Sequence, residues 1–188
     1  MKKAIILLAD GFEDVEAITP IDYLCRAGID VTIASISNSL TVTSRWGGIK
    51  MTVGTTLTEQ ISNIKERKYW DAVIVPGGSP GAVNLAASQE VNTLLNEMAA
   101  AGKLICAICA SPAVVLAPLG LLAGKKFTCY PKMEEKVTDG EWSDNRVVVD
   151  GNIITSRGAG TAGEFAIAII EKMLDDSTAK KIADTVLL

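Results

Sequence analysis

Apolar and polar positions alternate between two rhythms along the chain. Unbroken apolar runs of strand length fall at Lys2–Ala9, Val31–Ser35, Asp71–Val75 and Leu104–Ile108. Between them lie stretches in which apolar residues return every three or four positions, the period of a helix with one buried face. These predict helices over Val15–Ala27, closed by Gly28, and Val91–Ala101, closed by Gly102. Arg45–Val53 reads as short extended pieces around Gly47-Gly48, and Ser111–Leu119 as a helix with Pro112 in its first turn. Val147–Val149 and Ile153–Ser156 predict a hairpin across Asp150-Gly151-Asn152. A loop, Arg157-Gly158-Ala159-Gly160, then leads to a helix whose start carries a capping box, Thr161 at the N-cap and Glu164 at N3. Thr178–Leu188 reads as a short helix or tail. Strands without polar alternation, separated by helices, predict an α/β fold: a mostly parallel sheet with helices on both faces. No repeat, low-complexity segment or linker interrupts it, and residues 1–188 are expected to form one domain.

Composition narrows the function. Of 188 residues, 48% are hydrophobic, ample for a core, and the formal net charge is −4. An acidic chain without a basic cluster is not expected to bind nucleic acid or anionic membrane surfaces. The start, Met1 to Glu16, has two lysines before an apolar run. That run is too short for a signal peptide, and acidic residues follow it, so a buried strand and a cytoplasmic protein are expected. There is no histidine, which removes every Ser–His or Cys–His pair and every His-ligated metal site within one chain.

In a parallel sheet the site lies at the carboxyl ends of the strands. Three unusual loops leave such ends: Asp10–Glu16, Pro76–Gly81 and Cys109–Pro112. A buried strand stops at Cys109 and a helix follows at once, the pattern of a nucleophile elbow. There the helix start favours a thiolate, the Ala110 N–H faces an oxyanion beside the sulfur, and a lowered thiol pKa is expected. The competing reading is a buried cysteine acting as a small hydrophobe. Cys106 and Cys109 spell C-x-x-C, but three residues of extended chain separate their α-carbons by about 10 Å. A disulfide tolerates about 7 Å. Cys25, Cys106 and Cys129 are therefore expected in the core. Glu13 and Glu16 follow the first strand; apolar Ala17 and Ile18 turn Glu16 inward, where desolvation keeps a carboxyl protonated. Gly78 reads as a tight turn or as a further oxyanion amide. Arg157–Gly160 reads as turn chemistry or as an anion-binding helix start.

Together these residues resemble the ThiJ/PfpI superfamily, in the branch that contains the parkinsonism-associated protein deglycase. The resemblance runs through Gly11–Glu16, Arg26-Ala27-Gly28-Ile29, Thr43-Ser44-Arg45 and Val75-Pro76-Gly77-Gly78. It continues through Ala107-Ile108-Cys109-Ala110, Asn145-Arg146-Val147, Thr155-Ser156-Arg157-Gly158 and Glu164-Phe165-Ala166. It implies a flavodoxin-like fold and a homodimer. Cys109 matches the family's easily oxidised cysteine, Glu16 the protonated glutamate touching it, and Gly78 and Ala110 the oxyanion amides. Arg26 and Arg45 match basic residues near the pocket, Arg45 reaching across the dimer. The implied activities are glyoxalase action on small carbonyl compounds without metal, glutathione or other cofactor, removal of glycation adducts, and chaperone and oxidative-stress roles.

Two positions depart from the family pattern. Ala110 stands where the proteolytic branch has a histidine beside its nucleophile, and Tyr130 where the deglycase branch has one. A tyrosine hydroxyl can hydrogen-bond a carbonyl but, with a pKa near 10, is a poor base at pH 7. The first expectation is thus a cofactor-free thiol lyase acting on 2-oxoaldehydes through Cys109 and Glu16, without peptidase activity. The others are a non-enzymatic redox sensor or chaperone, and a flavin or nucleotide binder.

Overall fold

The apolar runs become the centre of a seven-stranded sheet. The computed structural model describes residues 1–62 and 70–188. The strands are β1 (Lys3–Leu8), β2 (Asp30–Ser35), β3 (Thr41–Thr43), β4 (Lys50–Thr52), β5 (Thr55–Thr56), β6 (Ala72–Val75), β7 (Leu104–Ile108), β8 (Lys126–Phe127), β9 (Glu141–Trp142), β10 (Val147–Asp150) and β11 (Ile153–Ser156). The helices are α1 (Asp14–Arg26), α2 (Leu57–Ser62), α3 (Ser79–Ala87), α4 (Gln89–Ala100), α5 (Ala162–Met173) and α6 (Asp176–Val186). The main sheet runs β10-β11-β7-β6-β1-β2-β5, and every pairing is parallel except the β10–β11 hairpin.

Side chains alternate across a strand, so each central strand feeds two cores. Ile5, Leu7, Val73, Val75, Ile105 and Ala107 pack under α3 and α4. Ala4, Ile6, Leu8, Ile74, Cys106 and Ile108 pack under α1, α5 and α6. The mostly parallel α/β sheet expected from the pattern is thereby present, with helices on both faces. No helix among the described residues is long and apolar enough to cross a membrane.

Four local expectations are corrected. Ser111–Leu119 is not a regular α-helix. A wide π-type turn over Pro112–Leu116 gives way to a 3-10 turn over Ala117–Leu119. Pro112 and Pro118 lack the N–H that an α-helical ladder needs, and Ala117 N–H instead donates to the Pro112 carbonyl. The capping box at Thr161 does not form. Thr161 Oγ1 turns back to accept the Gly158 N–H at 3.1 Å and lies 2.6 Å from Ser156 Oγ. Glu164 accepts from Arg146 Nε at 2.7 Å. Ser79-Pro80-Gly81, read as part of the Pro76–Gly81 loop, opens a helix, Ser79–Ala87, with the proline in its first turn. Cys25 is exposed on α1, outside the buried stripe of Glu16, Ala17, Pro20 and Leu24, whereas Cys106 and Cys129 are buried.

Candidate active site around Cys109

The three loops meet because glycines let their backbones touch. Glu13 N–H donates to the Gly77 carbonyl at 3.1 Å, and Gly81 N–H to the Gly11 carbonyl at 3.1 Å. Gly78 has φ +85°, and a β-carbon there would strike the Gly11 carbonyl oxygen and the Glu13 nitrogen. Ser111 Oγ, fully buried, donates to the Pro76 carbonyl at 2.6 Å and ties the elbow to the glycine loop.

Cys109 has φ +65°, a left-handed backbone that is costly for a residue with a side chain. Both of its peptide groups are held: its N–H donates to Ser156 O at 2.9 Å, and its carbonyl accepts the Tyr130 N–H at 2.8 Å. That posture lifts the sulfur off the end of β7 into a cavity of about 290 Å³. The Gly78 and Ala110 amides donate to Sγ, and the Glu16 carboxyl hydrogen-bonds it. Glu16, 1% exposed, also accepts the Gly77 N–H on Oε2 at 2.9 Å.

Burial is the first cause of both pKa shifts here. It pushes Glu16 up to about 7, against the pull of its Cys109 and Gly77 hydrogen bonds. Burial, and then the charge and hydrogen bond of Glu16, push the Cys109 thiol up to about 12 against its two amide donors. This is opposite in direction to the lowered thiol pKa that the elbow predicts. The elbow argument weighs amides and helix start, but not the loss of water or a carboxylate neighbour. Because the Glu16 charge raises the thiol's pKa, the pair carries one negative charge above about pH 7 and resists a second. With the proton on Glu16, its charge is gone and its O–H becomes a donor to sulfur.

The remaining residues divide. Glu13 lines the cavity; burial and the charge of Asp14 raise its pKa, while a Trp46 hydrogen bond and Arg45 draw it down. Arg45 lines the cavity of its own chain and donates to Ser79 Oγ at 3.2 Å. Tyr130, half-exposed, forms another wall. Arg26 stands apart: it is at the far end of α1, about ten residues and 15 Å from Glu16, and pairs with Asp22 at 2.8 Å. Sequence reasoning missed Trp46, Met133 and Ala159, which also line the cavity. The tryptophan directly after Arg45 and before Gly47-Gly48 was the available signal, though its placement was not readable from it.

The DJ-1/PfpI family pattern matches residues 2–172. Protein DJ-1 homolog B of Arabidopsis thaliana is 44% identical over 168 residues, covering 89% of this chain and 37% of its own length. The chain thus spans less than half the length of that relative. A Caenorhabditis elegans protein named a glutathione-independent glyoxalase is 35% identical over 177 residues, covering 92% of this chain and 89% of its own. The crystal structure of Drosophila melanogaster DJ-1beta superposes with a TM-score of 0.92 at 37% identity, covering 100% of this chain and 98% of its own. From the cysteine elbow to the sheet order and these matches, the chain belongs to the DJ-1/PfpI family.

Proposed function

We propose that the chain is a cofactor-free glyoxalase that turns a 2-oxoaldehyde and water into the corresponding 2-hydroxy acid. The observation that carries this is the direct hydrogen bond between Cys109 and Glu16 on the floor of one cavity, with the Gly78 and Ala110 amides aimed at sulfur. Glu16 takes the thiol proton, and Sγ bonds to the aldehyde carbon. The resulting oxyanion, steadied by amides no longer needed by a charged sulfur, regains that proton as a hemithioacetal. Glu16, with a pKa of about 7, then removes the aldehyde hydrogen as a proton and returns it to the ketone carbon, while the hemithioacetal hydroxyl proton passes to the former ketone oxygen, leaving a thioester beside an alcohol. The aldehyde carbon is oxidised and the ketone carbon reduced, so no external redox partner enters. Water cleaves the thioester and restores the thiol. Disposal of reactive carbonyls in the cytoplasm would be the matching stress role, and without a histidine no peptidase activity is expected. Conversion of methylglyoxal to lactate tests the reading: Cys109→Ala should abolish it, and equal turnover by the variant would refute it.

A second reading, a redox sensor, is favoured by the three donors around Sγ, which suit the oxygens of an oxidised sulfur. Peroxide oxidation of Cys109 with no methylglyoxal turnover would select it. A homodimer is proposed on Val15 and Ile18, both exposed and three residues apart on α1. Sedimentation should give about twice the 19.8 kDa chain mass; a monomer at micromolar concentration would refute it.

A further inference from the structure

The cavity over Cys109, about 290 Å³, is larger than a three-carbon substrate requires, and beside polar Glu13, Arg45 and Ser79 it has an aromatic and apolar wall. Trp46 and Tyr130 are among the most exposed large side chains of the described residues, at 60% and 53%, and both line it beside Met133. Aromatic side chains beside a partly buried nucleophile are characteristic of ligand-binding walls.

Trp46 is fixed in place. Its indole N–H is bonded to Glu13, and the Arg45 guanidinium lies 4.5 Å from its ring centroid. Its carbonyl accepts Ser44 Oγ at 3.0 Å, and Arg45 N–H donates to the Phe12 carbonyl at 2.8 Å, locking the segment onto the loop that carries Glu16. Tyr130 is tied to the nucleophile by its N–H on the Cys109 carbonyl. A β-carbon on Gly158 would lie 3.5 Å from the Tyr130 ring, 3.7 Å from Glu16 Oε1 and 4.0 Å from Sγ. The ring edge therefore borders the same gap as the reacting groups.

We infer that the pocket selects 2-oxoaldehydes whose ketone carries a flat apolar or aromatic group, with Trp46 as the residue that reads that group and Tyr130 as its second wall. With the aldehyde at Sγ, such a group extends outward along the aromatic walls, whereas a methyl group leaves them in water. The inference rests on the glyoxalase reading given above.

Phenylglyoxal and methylglyoxal distinguish the cases. Wild type should show at least about tenfold higher kcat/KM for phenylglyoxal, the scale of added apolar contact in a pocket. Trp46→Ala should lower kcat/KM for phenylglyoxal about tenfold more than for methylglyoxal, through KM, and Trp46→Phe should restore most of the difference. Equal kcat/KM values in wild type, or an equal loss for both substrates in Trp46→Ala, would overturn it. A second measurement needs no turnover and no covalent chemistry at arginine: calorimetry of mandelate and lactate, the two products, on Cys109→Ala. Mandelate should bind about tenfold tighter, and Cys109→Ala/Trp46→Ala should lose that preference. Equal binding overturns the wall, whereas methylglyoxal turnover that survives Cys109→Ala overturns the glyoxalase reading instead.

Discussion

Gly77 and Glu16 are joined so closely that no side chain fits between them. The Gly77 N–H donates to Glu16 Oε2 at 2.9 Å, and a β-carbon on Gly77 would stand 2.5 Å from that oxygen and 2.6 Å from Cys109 Cβ. Gly77→Ala should therefore push the carboxyl off the sulfur. The expected loss in kcat/KM is about 100-fold, the scale of a 1 Å misplacement of reacting groups. Circular dichroism should remain unchanged. Turnover of methylglyoxal within a factor of two of wild type would show that the contact is not needed.

Alkylation of Cys109 by iodoacetamide should follow the first proton lost by the Cys109–Glu16 pair. Below pH 7 both groups are protonated and the thiol is inert. As pH rises through about 7 the pair gains one negative charge, which proton exchange between the two groups places on sulfur for part of the time. In a Cys25→Ser background, which removes the exposed thiol, the rate should rise through pH 7 and level off by about pH 9. A rate that begins to climb only above pH 9 would separate Glu16 from the thiol's ionisation.

The same carboxyl makes the fold weaken as the solution becomes alkaline. Glu16 has a folded pKa of about 7 against an ordinary 4.5. Between those values the folded chain holds a proton that the unfolded chain has released. Stability is thus fully present below pH 4.5 and declines as pH rises through 7, by about 3 kcal/mol. Glu16→Gln should remove this decline, so that urea midpoints of variant and wild type diverge between pH 5 and pH 8 with the variant ahead. Parallel curves would place the carboxyl's titration elsewhere.

Mild peroxide should convert Cys109 to a sulfinate, adding two oxygens, before any other cysteine is changed. The rivals are unfavourable for different reasons. Cys106 and Cys129 are buried. Cys25, though exposed, has its thiol pKa raised by desolvation and then by the charges of Asp22 and Asp30, and among the described residues no amide donors are arranged around it as they are around Cys109 Sγ. Peptide mass mapping decides this, and prior oxidation of Cys25 would contradict it.

The sheet and the convergence of its loops were legible because both follow from local pattern. Apolar runs without alternation mark strands covered on two sides, and their carboxyl ends fix where the loops must meet. The inward turn of Glu16 was expected from its apolar followers, of which Ala17 is buried beside it and Ile18 faces outward. Cys25 was misread as core: it falls one position beyond the buried stripe that ends at Leu24, and the helix turns it to the surface. The placement of Trp46 was not, because contacts distant in sequence set it: Gly11 N–H on the Thr43 carbonyl and Arg45 N–H on the Phe12 carbonyl. Nor was the upward shift of the Cys109 thiol, which depends on how much water the folded cavity excludes. Arg26 was expected near the pocket, but Asp22 four residues earlier holds it on the helix surface.

Cys109 packs against both hydrophobic clusters, the one beneath α3 and α4 and the one beneath α1 and α5. It stands at the seam where the two halves of the interior come within reach of a single residue. Any covalent change at its sulfur is therefore a change in volume and polarity shared by two otherwise separate cores. A modified protein would report its chemical history in the breathing of helices on opposite sides of the sheet, and hydrogen exchange in α3 and α5 would register the event together.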